Sequence, residues 1–99
     1  MPVLNLDLRD GFHHDDVIVY VNDKEAARAA DLTTDLTISH AGSLTLAVPD
    51  GQLMLRLEVP KQGISASTGV EVADTPYVAA SIVNRQPRFL KAKEPIPML

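Results

Sequence analysis

The chain has 99 residues, which suits a single domain, because one hydrophobic core typically serves about 50 to 200 residues. Hydrophobic residues make up 45% of the chain and charged residues 22%, a composition typical of a folded protein and not of a disordered one. The absence of cysteine excludes disulfides and thiolate chemistry. A net charge of −4 argues against nucleic acid as a partner, because phosphates are neutralised by an excess of Lys and Arg.

The beginning of the chain carries no targeting pattern. Met1 to Asp7 has neither a basic flank nor a continuous apolar run, so the sequence indicates no signal peptide. No apolar stretch approaches the length that crosses a membrane. We therefore expect a cytoplasmic protein with no membrane partner.

The first half of the chain alternates apolar and polar residues with the period of a strand. Val3 to Leu8 predicts a half-buried strand that ends at Asp10-Gly11. Val17 to Val21 is apolar on both faces, which predicts a central strand covered on both sides or nearly so. Asn22-Asp23-Lys24 predicts a turn, because Asn and Asp tolerate the left-handed region. Glu25 to Ala30 has high helix propensity but is too short for a stable helix, so we favour a short strand or a single turn.

The middle of the chain predicts a β-hairpin around which the fold is organised. Leu36 to Ser39 predicts a strand that leads towards it. Ser43 to Val59 then alternates on both sides of Pro49-Asp50-Gly51, and Asp-Gly is a strong signal for a type I′ turn. We therefore expect the two arms to pair with each other.

The second half adds further strands and a tail. Strands are predicted over Ile64 to Val72, Tyr77 to Val83 and Arg88 to Lys93, with turns between them. The prolines of the last segment, 95–99, predict an extended tail, because proline removes a ladder donor.

These elements predict an all-β fold. Short strands with frequent turns indicate an antiparallel β-sandwich of about seven to eight strands, immunoglobulin-like or prealbumin-like, over residues 1–94. Its core is predicted to contain Leu4, Leu6, Val19, Val21, Ile38, Leu46, Leu55, Leu57, Val70 and Ile82.

Two short motifs resemble those of a known group of modules. Val19-Tyr20-Val21-Asn22-Asp23-Lys24 is followed by Val48-Pro49-Asp50-Gly51-Gln52 and an alternating strand. This arrangement resembles the small bacterial β-sandwich modules called PEGA-like, which have a V-x-V-D-G turn before a Pro-Glu-Gly-Ala hairpin. The chain keeps the Pro and the Gly and departs at the second and fourth positions. The resemblance covers Val17 to Val72 and implies a surface-module or adaptor role without catalysis.

One cluster has metal-binding side chains. His13-His14-Asp15-Asp16 supplies imidazole and carboxylate ligands, and His40 could join it if both loops lie at the same end of the sandwich. The candidate ligands are His13, His14, Asp16 and His40. A solvated polar loop explains the same residues, since neighbours on an extended chain point to opposite sides.

No catalytic motif stands out in the sequence. Ser39-His40 is the only adjacent serine and histidine, and the glycines form no phosphate-binding loop. We predict a non-catalytic protein-interaction or structural module with no cofactor. Its partner, a protein or a second copy, would bind through an edge strand or the C-terminal tail. The alternative is a metal or small-ligand binding domain that uses the His13-His14-Asp15-Asp16 loop.

Overall fold

The computed structural model describes residues 2–35 and 40–95, which form eight strands and one short 3₁₀ helix. The strands are β1 (Val3–Leu8), β2 (Asp15–Val21), β3 (Lys24–Leu32), β4 (Gly42–Ala47), β5 (Gln52–Val59), β6 (Ile64–Glu71), β7 (Tyr77–Val83) and β8 (Gln86–Ala92). The 3₁₀ helix, Pro60–Gln62, joins β5 to β6. This all-β architecture confirms the predicted fold class.

Two four-stranded sheets pack face to face. One has the order β4-β1-β7-β8 and the other the order β3-β2-β5-β6. All pairs are antiparallel except β1 with β7, which is parallel and places Asn5 opposite Tyr77. A parallel pair is possible here because β7 returns from the other sheet, so no tight turn fixes its direction.

The predicted hairpin of Ser43 to Val59 is wrong. β4 pairs with β1, whereas β5 pairs with β2 and β6 in the opposite sheet. Both Val48 and Leu53 are buried, because the arms face each other across the core. Alternation shows which side of a strand is buried but not which strand lies beside it. Of the two predicted turn residues only Gly51 has positive φ, so the turn is not type I′.

Two other turns have positive φ at both central residues, the geometry that was predicted for Asp50-Gly51. Asn22 and Asp23 have φ of 51° and 67° between paired Val21 and Lys24, which confirms that predicted turn as a two-residue hairpin. Asn84 and Arg85 form a second two-residue hairpin turn between β7 and β8, with φ of 52° and 63°. The segment Glu25 to Ala30 lies within β3, so the strand alternative was correct.

The core lies between the sheets and is built from aliphatic side chains. Of the predicted core residues, Leu4, Leu6, Val19, Val21, Leu46, Leu55, Leu57, Val70 and Ile82 are buried, as predicted. The predicted strand of Leu36 to Ser39, with Ile38, lies outside the described residues, as do residues 96–99 of the predicted tail. β2 is a central strand, and its outward residues Ile18 and Tyr20 are half-buried.

A buried threonine ties the segment after β3 to the loop after β1. The Thr34 hydroxyl donates a hydrogen bond to the Arg9 carbonyl at 2.6 Å and accepts one from the Phe12 N–H at 3.1 Å. The Thr34 N–H also donates to the Phe12 carbonyl at 2.9 Å. This contact fixes the loop that carries Gly11 and His13.

Replacing this hydroxyl is expected to be costly. Thr34→Val keeps the shape of the side chain but leaves the Phe12 N–H without its partner, so we expect a loss of about 2 kcal/mol in the free energy of unfolding. Urea denaturation measures the loss. Thr33→Val is the control, since the Thr33 hydroxyl accepts from the His14 N–H at an exposed position. Equal losses for the two variants would contradict this account.

Candidate functional site

The histidines and aspartates at the start of β2 are engaged with neighbouring protein groups. His14 Nδ1 lies 2.7 Å from Asp31 Oδ1, and Asp16 Oδ1 accepts a hydrogen bond from the Asp31 N–H at 3.1 Å. The His13 and His14 rings meet edge to face with their centroids 4.7 Å apart. These contacts attach the beginning of β2 to the end of β3.

His40 has partners of its own. Its Nε2 lies 3.0 Å from Ser43 Oγ, and the Ser43 hydroxyl donates to Asp7 Oδ1 at 2.9 Å. A nucleophilic serine would instead give its proton to the imidazole, with the carboxylate behind the imidazole. The serine here lies between the other two groups, so this arrangement does not activate its oxygen.

The four predicted ligands His13, His14, Asp16 and His40 do not form a group in the structure. Within residues 2–35 and 40–95, no set of three or more His, Cys, Asp or Glu side chains is placed to hold a metal ion. Metal binding stays a prediction from the sequence.

Asp15 is the exception to the interpretation of this stretch as a solvated loop, since His13, His14 and Asp16 are exposed. Asp15 begins β2 and is only 2% exposed. Its Oδ2 accepts hydrogen bonds from the His13 N–H at 2.9 Å and from Gln62 Nε2 at 2.7 Å. Gln62 Nε2 also donates to the Gly11 carbonyl at 2.9 Å. The carboxylate therefore holds the loop after β1 against the 3₁₀ helix. No pattern in the sequence indicated that Gln62 would be its partner.

The four sheet edges are β4 and β8 in one sheet and β3 and β6 in the other, and they differ in how well they could accept another strand. β3 is irregular, since its register with β2 shifts between Asp15 and Val17 and again between Val19 and Tyr20. It also carries an exposed ion pair, Arg28 with Glu25 at 2.8 Å, and this hydrogen bond lowers the pKa of the Glu25 carboxyl. Bulges and charges both discourage pairing along an edge.

β8 is also a poor edge for pairing. Pro87 lies within it and lacks an N–H, and Lys91 reaches from it across to β6. Lys91 Nζ donates to the Gly69 carbonyl at 2.9 Å and lies 3.4 Å from Thr68 Oγ1. This contact joins the two sheets along one side of the sandwich.

β6 is a regular edge. It pairs with β5 over all eight of its residues without a shift in register, contains no proline, and has its one charge at its last residue, Glu71. The Gly69 carbonyl accepts a hydrogen bond from Lys91, so the backbone groups of Gly69 point away from β5. In an antiparallel pair the backbone groups of every second residue along the strand point the same way. Ser65 and Ser67 share this orientation, and both are exposed. Small side chains and open backbone groups are what an incoming strand needs.

β4 is the other regular edge, and it is shorter. It has six residues in continuous register with β1. The Val48 N–H donates to the Pro2 carbonyl at 3.0 Å, which extends the hydrogen bonding between β4 and β1. Because the bonded residues alternate along the strand, the Thr45 N–H points away from β1. β4 therefore offers a matched comparison for experiments on β6.

No helix in the described residues is long and apolar enough to span a membrane. Comparisons with protein-family models, with curated proteins and with solved structures found no match to this chain. The resemblance to PEGA-like modules stays a prediction from the sequence.

Proposed function

We propose that the protein is a non-catalytic interaction module that pairs the edge of β6 with the same edge of a second copy. The observation that carries this proposal is the regularity of β6, which has no bulge and no proline along eight residues. Native proteins protect their edge strands with such devices, and β3 and β8 have them. An unprotected edge of this length favours a role in strand pairing.

The contact with Lys91 defines which part of the edge is open. Because Lys91 occupies the Gly69 carbonyl, the open backbone groups nearest the middle of the strand are those of Ser65 and Ser67. Antiparallel pairing of two copies about Ala66 places Ser65 of each copy opposite Ser67 of the other. Each such pair exchanges two backbone hydrogen bonds, so the symmetric contact has about four of them.

The charges along β6 permit this symmetric contact. No charged residue lies between Ile64 and Val70, so like charges do not meet when the strand pairs with itself. In this register Glu71 lies beyond the start of the partner's strand. A small interface of this kind predicts a dimer that forms and dissociates with protein concentration.

A proline substitution tests the proposal. Ser67→Pro removes an outward N–H without breaking a bond to β5, so it should leave the monomer folded. We expect self-association to weaken by about tenfold or more, because each copy loses a donor and the ring obstructs the approach. Light scattering across a concentration series measures the dissociation constant.

The matched control is Thr45→Pro, which makes the same change on the edge of β4. We expect it to leave self-association unchanged. A wild-type chain that stays monomeric at every concentration would refute the proposal, and so would equal effects of Ser67→Pro and Thr45→Pro.

A further inference from the structure

The structure contains a cleft at one end of the sandwich that has a net positive charge, whereas the whole chain has a net negative charge. Its volume is about 500 Å³, and it is lined by Gly11, His13, Asp15, Lys61, Gln62 and Arg85. Two cavities on the outer faces of the sheets are smaller, about 270 and 260 Å³. Small-molecule sites have volumes of about 300–1,000 Å³, so this cleft falls in their range.

Three separate parts of the chain build this cleft. The loop after β1 forms one wall, the 3₁₀ helix after β5 forms the second, and the turn between β7 and β8 supplies Arg85. Hydrogen bonds hold the floor together, since Gln62 Nε2 donates to both the Gly11 carbonyl and Asp15 Oδ2. Gly11 has no room for a side chain, because a Cβ there would lie 2.2 Å from the Ile82 carbonyl oxygen.

Arg85 is an unusual residue for its position. It has φ of 63° in a two-residue hairpin turn, where glycine is the favoured residue and a long side chain strains the backbone. Its guanidinium forms no ion pair with a carboxylate among residues 2–35 and 40–95. The turn therefore presents a guanidinium to the cleft with its donors available for a ligand.

Lys61 adds a second cation, whose ammonium is hydrogen-bonded to the backbone. Its Nζ donates to the His14 carbonyl at 2.7 Å, which uses one of its three hydrogens. Asp15 is the one carboxylate of the lining, and its Oδ2 already accepts from the His13 N–H and from Gln62. Two cations and one carboxylate leave an excess of one positive charge, although the whole chain carries −4.

We propose that this cleft binds a carboxylate, with the guanidinium of Arg85 as its main contact and the ammonium of Lys61 beside it. A guanidinium binds a carboxylate through two parallel hydrogen bonds, which suits a planar ligand with one negative charge. The excess of one charge favours a monoanion over a dianion such as phosphate. The carboxylate can belong to a small organic acid or to the C-terminus of a peptide.

Three probes test the proposal and distinguish these sources. Propionate, N-acetyl-trialanine with a free carboxylate and the same peptide as a C-terminal amide are titrated into the protein at low salt, and amide chemical shifts are followed by NMR. We expect saturable shifts at residues 11–15, 61–63 and 84–86 with the free peptide and none with the amide. Shifts with propionate as well identify any small carboxylate as sufficient, and shifts with the peptide alone identify a chain terminus.

The variants use the second arginine of this region as a control. Arg85→Gln should weaken binding by about tenfold or more, because it removes a charged bidentate contact. Arg88→Gln removes the same charge from β8 and should leave the affinity unchanged. Arg85→Gly should also lose binding while remaining folded, since glycine suits the turn.

The proposal is overturned by equal shifts with the acid and the amide peptides, by an Arg85→Gln variant that binds as wild type does, or by no saturable shift with any probe.

Discussion

Gly11→Ala is expected to destabilise the protein by about 3–5 kcal/mol. Gly11 has φ of +93°, and a Cβ there would lie 2.2 Å from the Ile82 carbonyl oxygen and 2.7 Å from its Cβ. The added Cβ would overlap the backbone of β7. The loop cannot easily move away, because the Ile82 N–H donates a hydrogen bond to the Asp10 carbonyl at 2.8 Å. The loop would have to leave β7, which would also open the cleft.

Gly51→Ala separates steric overlap from backbone strain. Gly51 has a similar φ of +88°, but no atom lies within 4 Å of the position of its Cβ. We expect a loss of about 1–2 kcal/mol from the conformation alone. Urea denaturation of both variants gives the comparison. If Gly11→Ala cost no more than Gly51→Ala, the close packing of the loop on β7 would be refuted.

Leu55→Ala is the second change with a large expected effect. Leu55 is fully buried in β5, where its side chain points between the sheets. Its truncation removes apolar contacts and leaves a cavity, so we expect a loss of about 3–4 kcal/mol in the free energy of unfolding. A protein of this size has about 5–15 kcal/mol in total, so the variant should be markedly less stable.

Met54→Ala is the matched control for that change. Met54 is the preceding residue of the same strand, but its side chain is 48% exposed. We expect its truncation to cost about 0.5 kcal/mol or less. Thermal and urea unfolding of both variants would show the difference, and similar losses would mean that the two faces of β5 are not assigned correctly.

Most of the fold could be predicted from the sequence because each sheet has one face towards solvent and one face in the core. Alternation located the strands and nearly all of the predicted core, and Asn22-Asp23 marked a hairpin through its backbone preference. The pairing partners of β4 and β5 could not be predicted in this way. Two arms that face each other across a core have the same alternation as two arms that pair side by side.

The candidate sites were harder to predict than the fold. The role proposed for Ser65 and Ser67 depends on which strand lies at the edge of a sheet, and strand order does not follow from local pattern. The cleft combines Lys61 with Arg85, which are far apart in the chain. Asn84-Arg85 lies in the turn predicted between Tyr77 to Val83 and Arg88 to Lys93, but only the positive φ of Arg85 shows how unfavourable that residue is there.

The most direct test of the β6 proposal is amide hydrogen exchange at low and at high protein concentration. The N–H groups of Ser65 and Ser67 should exchange fast in dilute protein and become protected as the concentration rises, because they then donate to a second copy. The Thr45 N–H on β4 should exchange at the same rate throughout. Exchange at Ser65 and Ser67 that is independent of concentration would contradict the proposal that this edge pairs with itself.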